Sequence, residues 1–451
     1  MRPPHSAPRW PVLVAALAAG AAPARGTPQD AAPAVVSAVG VPLEPHRPSL
    51  DDSDLLRVFG LRSGPALAPT VGKLMMFILP AFGANPNVGV ALGAAATAAV
   101  ALGPPDKTTI SSFSASAMLT TKQQFLGSLK SVALTSENDW ELLGDARFYV
   151  YSQPTYGLGT GATPVSSGFN INGLDTAALP GAQEMKFDFV KIHETVFRRV
   201  TGNAYLGLGY HLDLHWNIVD ESLDTSASPP AITSHYAYSV FEGFSPTHYG
   251  LSGVSLNALY ESRDHTLDPH SGSYLLASWR VNPTWLGSSR TSSILYGEAR
   301  TYVSLSQERP RHLIAFWAYG QAVTTGAAPY LDLPALGYDN RDRSGRGYPQ
   351  GRFRGTALVY GEAEYRFPLT RSGLVGGVVF VNATTASRPT IDDPALGVHE
   401  KGIALFDSVK PAGGIGVRIM ADNQARMNLV MDYAIGAGGS NGFYLTVGET
   451  F

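Results

Sequence analysis

The sequence predicts an all-β fold: a transmembrane antiparallel β-barrel of about sixteen strands, with its sixth external loop folded into the lumen. Three observations predict it. Apolar residues recur at every second position over stretches that match a tilted transmembrane strand of ~9 to 11 residues. The intervening connections alternate between short and long, as periplasmic turns and external loops do. Only 15% of the 451 residues are charged, with 48 glycines and 10% aromatics, unlike a soluble α/β enzyme or a helical membrane protein.

The period of two is clearest where a helix would otherwise be expected. In Val88 to Leu102, Val88, Val90, Leu92, Val100 and Leu102 share one face with Ala94, Ala96 and Ala98, while Gly89, Gly93 and Thr97 take the other. Gly103-Pro104-Pro105 closes the run below the length of a helical span. In Ala204 to Trp216, Leu206, Leu208, Tyr210, Leu212 and Leu214 alternate with His211, Asp213 and His215; in Arg426 to Ile435, Met427, Leu429, Met431, Tyr433 and Ile435 alternate with Asn428 and Asp432. One apolar and one charged face suit a wall between lipid and a wet lumen. Strands are placed at 73–82, 87–102, 108–121, 124–135, 140–153, 184–200, 203–218, 248–263, 272–283, 291–306, 311–325, 355–369, 373–386, 409–421, 425–437 and 441–451. The long connections are 154–182, 219–247, 326–354 and 387–408; Thr201-Gly202 and Asp422 to Gln424 are among the short ones.

Three domains follow. Residues 1–24 read as a signal peptide, with Arg2 and Arg9 before an apolar run and Ala22-Pro23-Ala24 as cleavage site. Residues 25–72 form a Pro/Ala-rich periplasmic linker in which 49–59 allow a short helix, and residues 73–451 form the barrel. An exported barrel is expected in the outer membrane of a Gram-negative type of cell, with outer-membrane lipid around it. There is no cysteine, which removes disulfides, thiol nucleophiles and thiolate metal sites. A net charge of -3 without a basic run argues against a nucleic-acid partner.

The strand at 355–369 places Glu362, Glu364 and Arg366 on one face. Carboxylates against lipid are costly, so that face points into the lumen. The preceding loop carries Arg343, Arg346, Arg352 and Arg354 and is expected to fold back and pair with these carboxylates. Similar charge ladders are read at Asp145/Arg147 and Glu298/Arg300.

Arg346-Gly347-Tyr348, followed by Glu364-Tyr365 in the next strand, resembles the bacterial surface antigen superfamily of BamA/TamA-like barrels. That family carries an Arg-Gly-aromatic motif into the lumen on its sixth external loop. Arg263 to Tyr274, Tyr156-Gly157-Leu158-Gly159 and Phe451 are similar to further family features. Where the family has a strand-borne Asp that holds the loop arginine, Asn382 stands here, so the resemblance implies a weaker lock unless Glu364 supplies the charge. The residues between cleavage site and barrel are expected to hold no POTRA domain. The barrel seam is placed at Pro80, Gly448 and Phe451: Pro80 removes a ladder donor from the first strand and Gly448 weakens the last.

The resemblance implies an assembly factor that inserts or translocates proteins at the outer membrane, with unfolded outer-membrane proteins as clients. The alternative is a passive channel or transporter gated by the sixth loop. A third is a structural or surface-antigen role, or a barrel partner for a periplasmic enzyme. No enzyme activity, metal or cofactor is expected. Gly438-Gly439-Ser440-Asn441-Gly442 joins two strands and reads as a hairpin, not a nucleophile elbow. His211 and His215 on a strand lie ~13 Å apart, too far to share a metal.

Overall fold

The computed structural model describes residues 54–58, 71–85, 88–104, 107–161, 170–171, 174–175, 179, 181–266, 268–340, 342–393, 398–423 and 426–451. The signal-peptide reading and most of the linker reading fall outside them.

Among the described residues, sixteen strands form one closed antiparallel barrel in sequence order. They are β1 (Met75–Asn85), β2 (Gly89–Val100), β3 (Ser111–Thr120), β4 (Phe125–Leu134), β5 (Trp140–Thr155), β6 (Gln183–Thr201), β7 (Ala204–Asp220) and β8 (Tyr249–Glu261). The second half comprises β9 (Gly272–Asn282), β10 (Ser292–Ser304), β11 (Leu313–Gly326), β12 (Ala357–Pro368), β13 (Val375–Ala386), β14 (Lys410–Asp422), β15 (Met427–Gly436) and β16 (Asn441–Val447). Two small hairpins, Asn170–Ile171 with Leu174–Asp175 and Ile391–Asp393 with Val398–Glu400, decorate the long loops.

The alternation sorts side chains as a membrane wall requires. Leu92, Leu119, Leu129, Leu208, Leu256, Phe316, Val381, Ile415 and Ile435 are exposed on the outer face. Each such side chain moved from water into hydrocarbon contributes about 1.5 to 3 kcal/mol. Their strand neighbours on the inner face are buried and mostly polar from β12 onward: Glu362, Glu364, Arg366, Asn382, Arg418, Asn428 and Asp432. No helix among the described residues is long and apolar enough to cross a membrane.

Two elements close the ends. At the short-turn end, the single-turn helix α1 (Leu55–Val58) follows Asp54, whose buried carboxylate accepts the Asn423 amide at 3.0 Å in the turn between β14 and β15. At the long-loop end, helix α2 (Ser234–Glu242) is capped by the Thr233 hydroxyl and stopped by Gly243 at φ 71. Tyr238 of α2 donates to the Ala328 carbonyl at 2.9 Å, joining the loop after β7 to the loop after β11. An apolar cluster of Tyr238, Phe244, Tyr249, Tyr330 and Leu331 seals this contact from solvent.

Three strand ends differ from the sequence reading by three residues or more. The first strand runs to Asn85, the third begins at Ser111, and the last stops at Val447. Gly448 adopts φ 81 and donates its amide to the Asn428 carbonyl at 2.8 Å, so the chain leaves the wall there. Phe451 is fully buried inside, its ring centroid 5.2 Å from that of Trp317 and 6.2 Å from that of Tyr302.

Candidate functional site

The loop between β11 and β12 descends into the lumen and presents Arg346 to the inner wall. Its Nη2 pairs with Glu362 and Glu364 of β12, and its Nη1 donates to Asp432 of β15 at 2.6 Å. The guanidinium lies 3.5 Å from the ring centroid of Phe380, a cation–π contact in a site where Arg346 itself is 3% exposed. Asn382 does not hold the guanidinium. Its Nδ2 donates to the Arg346 backbone carbonyl at 3.0 Å, and the charge comes from the three carboxylates instead. Glu362, Glu364 and Asp432 thus supply the charge around Arg346, and Asn382 a backbone contact.

A buried guanidinium without partners would be strongly unfavourable; with three carboxylates and an aromatic face the desolvation cost is met by short charge-assisted contacts. The carboxylates are shared onward. Glu364 accepts from Arg366 at 2.7 Å and Asp432 pairs with Arg418 at 2.5 Å. Arg418 also donates to Glu449 at 2.9 Å, and Glu449 accepts from Asn428 at 2.7 Å. The network thus runs from the loop tip to the segment after β16, where Arg366 donates to the Phe451 carbonyl at 3.0 Å. Arg426, between β14 and β15, reaches Asp264 in the turn between β8 and β9 at 2.7 Å, and burial pushes the nearby His265 imidazole down to about 4.

The residues beside Arg346 fix the depth of the loop. Gly347 has φ 102, and a Cβ there would lie 2.9 Å from the Ala412 side chain and 3.2 Å from the Gly436 nitrogen. A Cβ on Gly436 would in turn lie 2.6 Å from the Tyr348 ring. Two glycines let the loop backbone lie directly on β15. The Gly347 amide donates to the Tyr444 hydroxyl at 2.9 Å; the Tyr348 hydroxyl donates to the Pro411 carbonyl at 2.6 Å and accepts the Ala437 amide at 2.8 Å.

The other loop arginines have partners of their own. Arg343 donates to the carbonyls of Gly448 and Glu449 at 2.7 and 2.6 Å. Arg352 stacks on Tyr156 at 4.3 Å, and Arg354 donates to the carbonyls of Tyr330 and Leu331. A guanidinium has five donors, so a carbonyl-rich turn satisfies it as well as a carboxylate does in number, if not in charge. The glycine segment after β5 is drawn into the same assembly: Gly159 donates to the Arg354 carbonyl at 2.7 Å, with Gly157 and Gly159 at φ 87 and 82.

These contacts set an arginine-bearing loop, the sixth connection at the long-loop end, inside a sixteen-stranded barrel. Residues 151–451 match the family model of the Omp85 superfamily domain. The chain belongs to the Omp85 superfamily. Solved structures similar to this Omp85 barrel include BamA from Haemophilus ducreyi lacking POTRA domains 1-3, at 17% identity and TM-score 0.48, covering 83% of this chain and 70% of that one. CdiB from Acinetobacter baumannii is similar at 13% identity and TM-score 0.45, covering 83% of this chain and 65% of that one. CdiB from Escherichia coli is similar at 11% identity and TM-score 0.44, covering 86% and 63%. No curated protein matches the sequence.

The seam of this Omp85 barrel is narrow. β1 pairs with β2 along its whole length, Met75 opposite Ala99 through Asn85 opposite Gly89, whereas among the described residues β1 and β16 share one ladder pair, Ala84 opposite Leu445. Pro80 lies within β1, opposite Ala94, not at a loop boundary. Gly448 and Phe451 lie past the end of β16 and are turned into the lumen, so they do not form the seam.

The charge ladders are intramolecular clamps along one strand face: Arg147 donates to Asp145 at 2.7 Å and Arg300 to Glu298 at 2.7 Å. His211 and His215 take separate partners, Ser255 at 2.7 Å for the first and a Phe189 ring stack at 4.5 Å for the second. The histidine that does face His211 is His193, directly opposite in β6 with ring centroids 4.5 Å apart; its place follows from strand register, which spacing along one strand does not reveal. Among the described residues no cluster fits a metal ion.

Proposed function

We propose that this barrel lies in the outer membrane and inserts or translocates membrane proteins there, with its seam opening while the loop stays locked in the lumen. The observation that carries this reading is the contrast between the two closures. Arg346 is held by three carboxylates, while β1 and β16 are held by one ladder pair. Unpaired edge backbone offers a template for another strand, and a client strand with its own donors and acceptors satisfies it. The lock keeps the wall intact while the seam exchanges partners. Membership of the Omp85 superfamily supports the same class of activity.

The test is the rate at which an unfolded client barrel becomes membrane-inserted in liposomes holding the protein. The rate is expected to exceed that in protein-free liposomes, and Arg346→Ala, compared at equal amounts of folded barrel, is expected to lose most of the acceleration. Equal rates with and without the protein for a range of clients would reject the reading. If deletion of residues 343–354 left a folded barrel whose only change was a larger conductance, the loop would be a plug of a passive channel.

A further inference from the structure

Glu194 is a carboxyl group on the lipid-facing wall. On β6 the inward residues Lys191 and Phe197 are buried, whereas Ile192, Glu194 and Val196 are exposed on the outer face. The ladder fixes the depth of Glu194. On β5, Trp140 lies opposite Arg198 and Phe148 opposite Val190, and Gly144, opposite Glu194, lies midway between them. Trp140 and Phe148 mark the two rims of the apolar band: the Arg198 guanidinium lies over the Trp140 ring at 4.8 Å, and Phe148 stacks on Trp216 with centroids 6.3 Å apart. The other outward charges of β6, on Glu184, Lys186, Asp188 and Arg198, lie at or beyond these rims. Glu194 lies between them.

The surrounding wall supplies no counter-charge. The outward neighbours are Leu142, Gly144 and Ala146 on β5 and Leu208, Tyr210 and Leu212 on β7, and the Tyr210 hydroxyl is engaged with that of Ser252 at 3.0 Å. Among the described residues, Glu194 has no hydrogen-bond or ion-pair partner. The wall is notched beside it: a Cβ on Gly144 would lie 2.8 Å from Glu194 Oε2 and 2.5 Å from Ser131 Oγ on β4. In hydrocarbon a carboxyl group is costly as the anion, and as the neutral acid it still carries a donor and an acceptor that no water satisfies. Membrane-embedded surfaces associate where small residues permit close approach and a polar group finds a partner.

A two-fold axis along the membrane normal brings equal depths of two identical walls together. At the depth of Glu194 this wall offers no Lys or Arg, so the group that a second copy brings is the same acid. Two neutral carboxylic acids satisfy each other, each O–H donating to the carbonyl oxygen of the other. We propose that the outer face of β5 to β7 is a homodimer interface within the membrane, in which Glu194 pairs with Glu194 of the partner subunit. The interface does not depend on the insertion activity, and it lies several strands away from the junction of β1 and β16.

The chain has no cysteine, so labels can be placed by single substitutions. Full-length protein bearing Thr225→Cys, in the exposed loop after β7, is labelled in separate batches with a donor and an acceptor dye. The two are reconstituted together into liposomes at a lipid excess where chance proximity gives no energy transfer. Transfer is expected. It is expected to fall several-fold in Glu194→Leu, which removes a lipid-facing polar group without straining the fold, and to persist in Glu194→Gln, whose amide pairs with its counterpart in the same way. To locate the face, oxidation of Val196→Cys, beside Glu194, is expected to give disulfide-linked dimers several-fold faster than oxidation of Leu275→Cys, exposed on the outer face of β9. No transfer above chance, undiminished transfer in Glu194→Leu, or equal cross-linking at the two positions would each overturn the proposal.

Discussion

Arg346→Ala is expected to destabilise the folded barrel by about 3 to 5 kcal/mol, the range for removing one partner of a buried ion-pair network. The size follows from what is left behind. Glu362, Glu364 and Asp432 each have side chains no more than 1% exposed, and each loses a guanidinium contact. Glu364 and Asp432 keep Arg366 and Arg418, so the greatest penalty falls on Glu362, whose remaining side-chain partner is the Tyr360 hydroxyl. The cost is to be read as a drop in the urea midpoint of the heat-modifiable folded band. Arg346→Lys restores the charge but not the planar fork that reaches β12 and β15 together, and is expected to recover only part of the loss. A midpoint unchanged in Arg346→Ala would mean that the loop is held by its backbone contacts alone.

Gly347→Val is expected to displace the loop from the wall at a cost of roughly 3 kcal/mol, combining left-handed strain in a β-branched residue with overpacking. The backbone at φ 102 admits glycine, and the added side chain would enter the space held by Ala412 and Gly436. The displaced loop carries Arg346, Arg352 and Arg354, so added trypsin is expected to cut it in the variant and to spare it in the native protein. Native-like resistance in Gly347→Val would show that the loop has room that the geometry denies it.

The sixteen strands were legible because the wall separates lipid from lumen at every residue, which writes the inside–outside alternation into the sequence. Glu362, Glu364 and Arg366 were legible as lumenal for the same reason. What alternation does not encode is which inward residues meet across the lumen. Asp432 could be placed on the inner face of its strand, yet its contact with Arg346 follows from barrel closure, which brings β15 near β12. Gly436 was silent for a like reason: its role is to leave room for Tyr348, and an absent side chain gives no pattern.

The end of β16 was misplaced because Tyr444, Thr446 and Gly448 continue a plausible alternation. Only the left-handed backbone at Gly448 and the Arg343 contacts to the carbonyls of Gly448 and Glu449 turn the chain inward. Arg343, Arg352 and Arg354 were expected on carboxylates because opposite charges attract. In the folded chain nearby carbonyls and the Tyr156 ring are within reach first.

The most direct measurement is client insertion by a barrel whose seam can be sealed at will. Cysteines at the paired positions Ala84 and Leu445, in a chain with no other cysteine, place one disulfide across the junction of β1 and β16. The account predicts that the reduced protein accelerates client insertion and that the oxidised protein, still folded and with its loop resistant to trypsin, does not. Equal acceleration in both states would contradict a seam that opens.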